Sequence, residues 1–427
     1  MTEHVATNET ILVVGGGISG MTAALEAAET GKNVVLVEKN AALGGRTSQL
    51  YRYFPKLCHP VCGLEINLRR LKGNPRVRVL TLAEVTGIEG STGNYTASIR
   101  IKPRYVNENC TACGDCGRAV ETMVDDPFNY NLGKHKAAYL PNAMAYPQRY
   151  VLDPAIIGSA DADKARAACK YGAIDLDMKE ETIQVKAGAV VWATGWQPYD
   201  AAKIQPYGYG RFKNVITSVE FERLADIHGP TGGKILRPSD GKEAKNIAFI
   251  QCAGSRDENH LRHCSRICCM ASLKQTQYVK EAWGDAAKST VYYIDIRAID
   301  RFEDFYQKVQ KDPSVSFLKS KVAKVTQDKS GDVILHGVDT EGYHRYANAH
   351  DMAVLAIGMQ PSVAGVDIPA EVIADSSGFI ESSAAESGLF GAGCATNALD
   401  VNRAVQSSTA AALRAIQVIN KTARAEA

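Results

Sequence analysis

The stretch TILVVGGGISGMTAALEAAETGKNVVLVEKN (residues 10–40) joins an apolar run, a glycine turn, a helix-like segment and a second apolar run that ends in Glu38. This order predicts a βαβ unit of the Rossmann type. Gly15 permits the tight turn, Gly17 lets the backbone approach a pyrophosphate, and Gly20 lets the helix pack against the strand. The N-terminus of that helix presents N–H groups and a favourable dipole to phosphates. The stretch therefore predicts dinucleotide binding, with Glu38 placed for a ribose diol.

Three further segments favour FAD over NAD. EKNAALGGR (38–46) continues into a second glycine pair and an arginine, a pattern that resembles flavoproteins. GAVVWATGWQP (188–198) resembles the strand and ATG turn of flavoproteins with two dinucleotide-binding domains, and GLFGAGCAT (388–396) resembles their C-terminal FAD strand. Cys394 stands where most such proteins carry an aspartate. Because a thiol is a poor acceptor, we expect backbone N–H groups to supply that contact.

The composition limits the class of protein. The chain has 427 residues, enough for two or three domains, and its formal net charge of +2 argues against nucleic-acid binding. No window approaches the ~18 uninterrupted apolar residues of a membrane helix. The first residues, 1–17, lack the pattern of a secretory signal, so we expect the reducing cytoplasm. Eleven cysteines in that compartment indicate metal clusters, redox chemistry or small buried residues rather than disulfides.

A second Rossmann-like unit is predicted without its glycines. In AKNIAFIQCAGSRDEN (244–259) an apolar strand is followed by Gly254 alone, and Cys252 occupies the turn. The helix-like run 270–284 and the strand-like run 289–300 complete the βαβ pattern. We therefore expect the fold to be retained and the NAD(P)H pyrophosphate site to be lost. NADH is not the expected electron donor at this site.

Four cysteines lie in and after that turn: Cys252, Cys264, Cys268 and Cys269. They supply the four sulfur ligands that a [4Fe-4S] cluster requires. Four thiolates also satisfy zinc, although adjacent cysteines are awkward for a tetrahedral zinc site. Zinc or thiol redox chemistry and coincidental burial of the thiols remain the alternatives.

A second cysteine group resembles bacterial ferredoxins. Cys110, Cys113 and Cys116 follow the C-x2-C-x2-C spacing, and the intervening glycines let the loop wrap a cluster. Val120 stands where a two-cluster ferredoxin has a further cysteine, and Cys169 is the candidate fourth ligand of a single [4Fe-4S] cluster. The alternative is a degenerate ferredoxin module that holds no cluster. The stretch between Cys116 and Cys169 must fold back on itself to place Cys169 beside the other three cysteines.

One more pair of cysteines, Cys58 and Cys62, has His59 between its members. The two cysteines are equally compatible with a structural place in the wall of the flavin domain and with a role in redox chemistry or as cluster ligands. The sequence leaves both interpretations open.

Together these motifs resemble the A subunit of heterodisulfide reductase, and more closely the A subunit of the quinone-interacting membrane-bound oxidoreductase of sulfate reducers. The segments that carry the resemblance are residues 13–25, 54–66, 102–116, 134–153, 251–275 and 390–408. By that resemblance, the FAD-binding residues are Gly15, Gly17, Gly20, Glu38, Gly44, Gly45, Arg46, Thr194, Gly195 and Gly393. Lys274 matches a lysine near the reactive ring of the flavin, where a cation would stabilise the reduced anionic form.

The resemblance implies a protein that binds FAD and iron–sulfur clusters and relays electrons between menaquinone and adenylylsulfate reductase in sulfate reduction. Its partners would be a second flavin and iron–sulfur protein together with a membrane haem and iron–sulfur protein, through which menaquinone is reached. The chain itself would be cytoplasmic and held at the membrane only by partners. The alternatives are a heterodisulfide-reductase-type component of a methanogenic or sulfur-oxidising complex, and a non-catalytic flavin-bound scaffold.

The predicted fold is α/β, with two nested Rossmann-like domains as in thioredoxin or glutathione reductase and a small ferredoxin-like insertion. We expect the FAD domain over residues 1–102, 179–199 and 351–427, the insertion over 103–178, and the second Rossmann-like domain over 200–350.

Overall fold

The structure is a computed structural model that describes residues 7–363, 372–381 and 387–426. The chain divides into two compact units. The first comprises Met1–Ser48, Val61–Trp196 and Pro361–Ala427, and the second comprises Gln49–Pro60 and Gln197–Gln360. The predicted insertion lies wholly within the first unit, and its standing as a separate domain stays a prediction.

The elements up to residue 192 all belong to the first unit. Its strands there are β1 Thr10–Val14, β2 Asn33–Glu38, β3 Val77–Thr81, β4 Ala83–Ser91, β5 Asn94–Ile101, β6 Met123–Asp125, β7 Lys134–Lys136, β8 Ala138–Tyr139, β9 Val151–Leu152, β10 Glu181–Ala187 and β11 Ala189–Trp192. The helices are α1 Ile18–Glu29, α2 Val61–Gly73, α3 Asp115–Ala119 and α4 Ala160–Ala168.

The remaining elements follow in chain order. The strands are β12 Trp196–Pro198, β13 Val215–Thr217, β14 Asn246–Ala253, β15 Lys288–Tyr293, β16 Val315–Lys319, β17 Lys324–Gln327, β18 Val333–Asp339, β19 His344–His350, β20 Met352–Ile357, β21 Met359–Pro361 and β22 Leu389–Gly391. The helices are α5 Ser218–Ala225, α6 Cys268–Trp283, α7 Phe302–Gln310 and α8 Val401–Glu426. Short 3-10 turns occur at Gly45–Gln49, Pro127–Asn129, Pro154–Ile156, Ala201–Lys203, Gln205–Tyr207, Gly284–Ala286 and Gly393–Ala395.

A parallel sheet in the order β22-β11-β1-β2-β3 forms the centre of the first unit. Its strands are continuous apolar runs because both faces are covered. Ile11 and Val13 point towards the core that includes α1 and α8, whereas Leu12 and Val14 point to the opposite face. That face packs on the antiparallel sheet β10-β5-β4. The arrangement places the C-terminal ends of β1, β2 and β11 at one edge, where a dinucleotide binds in this fold.

The ferredoxin-like segment has its own small core. It contains α3, α4 and the two-stranded sheets β6-β7 and β8-β9. Val120, Leu152 and Ile156 are buried at the centre of that core. Arg104, at the start of the segment, is also buried, and it donates hydrogen bonds to the Ala41 carbonyl and to Thr81 Oγ1.

The second unit repeats the Rossmann pattern. A parallel sheet runs in the order β13-β20-β14-β15-β16, and the antiparallel sheet β17-β18-β19 packs against one of its faces. On the other face, Phe221 of α5 contacts Phe249 of β14 edge to face. The prediction of an α/β fold with Rossmann-like parallel sheets is confirmed.

Residues 49–60 join the second unit through polar contacts. The Tyr51 N–H donates to a Glu222 carboxylate oxygen at 3.0 Å, and the Lys274 ammonium donates to the Arg52 carbonyl. Because these contacts connect residues far apart in sequence, local patterns do not reveal them. The bounds expected from the sequence place this stretch in the FAD domain instead.

No helix in residues 7–363, 372–381 and 387–426 is long and apolar enough to cross a membrane.

Candidate functional site

The glycine turn after β1 is built as the dinucleotide fingerprint requires. Gly15 has φ +108°, and a Cβ there would lie 2.4 Å from the Ala193 carbonyl oxygen. A Cβ on Gly20 would lie 1.7 Å from the Gly15 carbonyl oxygen, so no larger residue fits this crossing of strand and helix. Gly17 precedes α1 and pairs with Gly44 in a parallel bridge. The turn therefore leaves backbone N–H groups at the helix N-terminus, where a pyrophosphate would be held.

Glu38 ends β2 beside this turn. Its carboxylate accepts hydrogen bonds from the Gly16 N–H at 2.6 Å and from the Asn40 N–H and side-chain amide at 2.8 and 2.7 Å. Burial raises the pKa of the Glu38 carboxyl, and these hydrogen bonds act in the opposite direction. The side chain is thereby fixed at the strand end where the ribose diol is expected.

The second glycine pair continues the same surface. A Cβ on Gly45 would lie 2.8 Å from the Gly17 Cα, so the two glycine segments approach closely. Arg46 then donates to the Trp196 carbonyl at 3.3 Å and to the Tyr130 hydroxyl at 3.1 Å. Its guanidinium also lies over both aromatic rings. No sequence pattern indicates Tyr130 as a partner of Arg46.

The C-terminal edge of β11 and the β22 turn complete the predicted FAD surface. Thr194 Oγ1 is buried and has no hydrogen-bond partner within the described part of the chain. The Gly393 N–H donates to Ser407 Oγ at 3.1 Å, and the Gly195 carbonyl accepts from Ser362. A buried hydroxyl without a partner is costly unless a ligand satisfies it. Thr194 together with the glycine surfaces therefore fits a bound FAD.

The four cysteines of the ferredoxin-like segment line one pocket. Cys110, Cys113, Cys116 and Cys169 face it together, and Tyr171 contributes a wall. Cys116 is buried, Cys110 and Cys169 are half-buried, and Cys113 is exposed.

Backbone pairing brings Cys169 close to the other three cysteines of this pocket. Val106 bridges Ile174 in antiparallel fashion, and the Asn107 N–H donates to the Ala173 carbonyl at 2.8 Å. These contacts bring the two halves of the segment together, which the sequence alone could not show.

Backbone N–H groups in this pocket point at sulfur. The Ala112 N–H donates to Cys110 Sγ at 3.4 Å and the Ala173 N–H to Cys169 Sγ at 3.3 Å. Ala112 adopts a left-handed conformation with φ +56°. Burial, together with a smaller effect of the other three cysteines of the pocket, raises the pKa of Cys116 to about 11. Cysteine binds a metal as its thiolate, so a metal bound here would replace the proton of Cys116.

The second cysteine set forms around the end of β14. Cys252 lies in this strand with φ +55°, Cys264 lies in the following loop, and Cys268 and Cys269 begin α6. Burial raises the pKa of Cys269 to about 11, with further contributions from Cys252 and Cys264. Burial and the same neighbours raise the pKa of Cys268. The four thiols are therefore close enough for their charges to interact.

Hydrogen bonds to sulfur recur in this set. The Arg266 N–H, in a residue with φ +63°, donates to Cys264 Sγ at 3.3 Å. This repeats the geometry of Ala112 and Cys110, two residues apart in both cases. The Arg256 guanidinium donates to Cys252 Sγ at 3.9 Å. Sequence patterns indicate the cysteines but not this arginine.

Within the described residues, no three His, Cys, Asp or Glu side chains converge closely enough to hold a single metal ion. A tetrahedral zinc site needs four ligands around one ion. A cubane [4Fe-4S] cluster takes one cysteine at each iron corner.

Lys274 lies in a buried network on α6. Its ammonium donates to Glu222 at 3.1 Å, and Gln275 and Tyr278 donate to the same carboxylate at 2.6 and 3.1 Å. Burial lowers the pKa of Lys274, while Glu222 raises it. Sequence reasoning missed Glu222, because nothing local distinguishes it from a surface helix glutamate.

Comparison with known proteins connects this geometry to a family. A profile of the FAD dependent oxidoreductase family matches residues 10–68. The A subunit of the ferredoxin:CoB-CoM heterodisulfide reductase of Methanosarcina mazei is 35% identical over 96% of this chain and 53% of its own length. The iron-sulfur A subunit of the CoB–CoM heterodisulfide reductase of Methanocaldococcus jannaschii is 38% identical over 84% of this chain and 54% of its own. The chain is similar to the heterodisulfide reductase A subunits. It spans about half the length of these curated relatives.

Solved structures support the fold of this heterodisulfide reductase A-like chain. Thioredoxin reductase of T. acidophilum has a TM-score of 0.54 at 14% identity, covering 96% of this chain and 98% of its own. The Lactococcus lactis enzyme has a TM-score of 0.52 at 13% identity, covering 97% and 99%. The predicted thioredoxin-reductase-like architecture is confirmed.

The similarity decides between the predicted functions in part. It confirms the resemblance to the heterodisulfide reductase A subunits, and residues 10–68 match the FAD dependent oxidoreductase family. The curated relatives are heterodisulfide reductase subunits, which favours the alternative function over the link to sulfate reduction. Menaquinone, adenylylsulfate reductase and a membrane partner have no support among them.

Proposed function

We propose that this chain is the FAD- and [4Fe-4S]-binding electron-transfer subunit of a multi-subunit oxidoreductase of the heterodisulfide reductase type. One observation supports the proposal most strongly. The chain has two sets of four neighbouring cysteines, and it also has the glycine turn after β1 that is typical of FAD binding. When bound, FAD exchanges two electrons at once and a [4Fe-4S] cluster exchanges one, so their combination interconverts two-electron and one-electron chemistry.

The residues of the FAD surface would bind and orient the cofactor. Backbone N–H groups after Gly15 and Gly17 would hold the pyrophosphate, and Glu38 would accept hydrogen bonds from the ribose. The unpartnered Thr194 hydroxyl would donate to the ligand. The proposed role of Lys274 is to place a positive charge near the reactive ring, and this role comes from the family resemblance alone.

The cysteine sets would hold the clusters in different surroundings. Cys110, Cys113, Cys116 and Cys169 would ligate one cluster, and the exposed Cys113 would give it an edge towards solvent. Cys252, Cys264, Cys268 and Cys269 would ligate the other, which would be more completely shielded. A shielded cluster suits transfer within the protein, and an accessible one suits exchange with a partner.

Anaerobic purification tests the cofactor content. We expect FAD, iron and sulfide at a ratio of two cubane clusters per chain, with EPR signals from both after reduction by dithionite. Cys268→Ser should remove one signal and Cys116→Ser the other, while Cys62→Ser, at an exposed cysteine, should keep both. Rapid bleaching of the flavin by NADH alone, or the absence of iron from both sets, would overturn the proposal.

Native co-purification tests the complex. We expect co-purified subunits of the heterodisulfide reductase type. The sequence resemblance to the quinone-interacting oxidoreductase gives a second candidate, a relay between menaquinone and adenylylsulfate reductase. Recovery of adenylylsulfate reductase with a membrane haem and iron–sulfur protein, together with peripheral membrane association, would favour that candidate. A chain that binds FAD and clusters but neither accepts nor passes electrons would be a scaffold.

A further inference from the structure

Arg256 lies in the loop between Cys252 and Cys264, with a left-handed backbone at φ +56°. Its N–H donates to the His263 carbonyl at 3.2 Å, which closes the loop. Its guanidinium donates to Cys252 Sγ at 3.9 Å. A long cationic side chain is thus folded back onto one of the four proposed cluster ligands.

Asp295 holds the guanidinium in this orientation. It follows β15 and forms an ion pair with Arg256 on one side and with Arg297 at 3.5 Å on the other. The Asp295 carbonyl also faces Cys269 Sγ at 3.8 Å. The loop after β15 therefore contacts both the arginine and a second proposed ligand.

The ion pair between Arg256 and Asp295 contributes too little to the stability of the fold to explain why Arg256 adopts this conformation. The Arg256 and Asp295 side chains are 23% and 45% exposed, and ion pairs of that kind contribute little to stability. A left-handed arginine, by contrast, is strained. Residues held in such conformations cluster at active sites and ligand clamps.

We propose that Arg256 raises the reduction potential of the cluster held by Cys252, Cys264, Cys268 and Cys269. This inference rests on the proposed function, because it assumes that the cluster is present. Taking up one electron adds one negative charge to the cluster. A guanidinium hydrogen-bonded to a ligand sulfur stabilises that added charge, and partial burial limits its screening by water.

The chain offers a matched control for this proposal. Arg297 pairs with the other oxygen of Asp295 and is 44% exposed. Arg256→Gln and Arg297→Gln change the net charge equally, and only the first removes a side-chain contact to a ligand sulfur. The other proposed cluster, at Cys110, Cys113, Cys116 and Cys169, serves as an internal reference in the same sample.

EPR-monitored redox titration of the anaerobic holoprotein measures both potentials. We expect Arg256→Gln to lower the equilibrium constant for reduction of the Cys252 cluster about tenfold, or 59 mV for a one-electron couple. Arg297→Gln should change it less than about threefold, and the reference cluster should not move. Equal shifts in the two variants, or no shift in Arg256→Gln, would overturn the inference.

Arg256→Lys provides a second variant, which decides the matter if Arg256→Gln does not retain its cluster. Lysine keeps the positive charge but lacks the guanidinium that donates to Cys252 Sγ, so the equilibrium constant for reduction should fall about threefold. An unchanged or raised potential would then reject the inference. Wild-type protein without iron at these cysteines would instead defeat the proposed function, so the two failures are distinguishable.

Discussion

Glu222 accepts a hydrogen bond from the Lys274 ammonium at 3.1 Å, and both side chains are at most 3% exposed. Burying the two charges is costly, and the pair is retained because each charge satisfies the other. Tyr278, Gln275 and the Tyr51 N–H complete the hydrogen bonds of the carboxylate. The network thus ties residues 49–60 to α5 and α6.

We predict that Glu222→Gln lowers the free energy of unfolding by about 3–5 kcal/mol, because it leaves the Lys274 charge buried and unpaired. Adding Lys274→Met should recover part of that loss, since the unpaired charge is then absent. Urea unfolding of the single and double variants measures this. Glu65→Gln removes the exposed Arg69–Glu65 pair and should cost less than about 0.5 kcal/mol. An equal loss from the single and double variants would refute the pairing argument.

Gly20→Ala is expected to abolish FAD binding. The added Cβ would lie 1.7 Å from the Gly15 carbonyl oxygen, so α1 must move away from β1 and the phosphate turn must open. Gly63 is a suitable control, because it lies in α2 with no atom within 4 Å of an added Cβ. Flavin absorbance per chain, with and without added FAD, measures the outcome. Full flavin occupancy in Gly20→Ala would show that the cofactor does not use this turn.

His350 gives the second unit a defined pH dependence. It is buried between the Tyr292 hydroxyl and the Asn246 amide oxygen, both at 2.9 Å. Burial lowers its pKa to about 4. The imidazole of His350 binds a proton more tightly in the unfolded chain than in the folded one. Its contribution to the free energy of unfolding is therefore fully present above about pH 6.5 and is lost as the pH falls towards 4. At pH 5 the free energy of unfolding should be about 2 kcal/mol lower than at neutral pH.

Urea unfolding at pH 7 and pH 5 tests this dependence. His350→Gln should lose about 2 kcal/mol less than wild type between the two pH values, whereas His228→Gln, at an exposed histidine, should behave as wild type. If the free energy of unfolding of His350→Gln fell as much as that of the wild type between pH 7 and pH 5, other groups would be responsible for the acid sensitivity.

Sequence patterns identify the residues that follow local rules and miss those that depend on distant contacts. Gly15, Gly20 and the C-x2-C-x2-C run are recognisable because a turn or a cluster loop needs those residue types at fixed spacing. Glu222 and Arg256 meet their partners 52 and 39 residues away, at Lys274 and Asp295. A lone glutamate or arginine has no spacing rule, so only the folded chain identifies it.

The domain bounds show the same limit. Apolar periodicity locates β14 and α6, and the prediction of a βαβ unit there agrees with the strand and helix that the structure contains. Residues 49–60 have no such periodicity, and their place in the second unit depends on contacts such as the hydrogen bond from Tyr51 to Glu222. Polar tertiary contacts of this kind are set by geometry rather than by pattern.

Arg104 offers a last prediction, on how the ferredoxin-like segment is held. Its buried guanidinium donates to the Ala41 carbonyl, to Thr81 Oγ1 at 2.8 Å and to the Arg149 carbonyl at 3.2 Å. Burial lowers its pKa to about 10, and no carboxylate is among these acceptors. Arg104→Met should therefore cost only about 1–3 kcal/mol, because lost hydrogen bonds are partly offset by relief of a buried charge.

Amide hydrogen exchange shows which part of the chain loses stability in Arg104→Met. We expect faster exchange in residues 104–175 of Arg104→Met, since the anchor of this segment on β3 and on the loop after β2 is gone. Arg78→Met, at an exposed arginine of β3, should leave exchange there unchanged. The second unit should keep its protection in both variants, because its sheet does not include these contacts. A uniform rise in exchange across the chain would mean that Arg104 supports global folding instead of this segment.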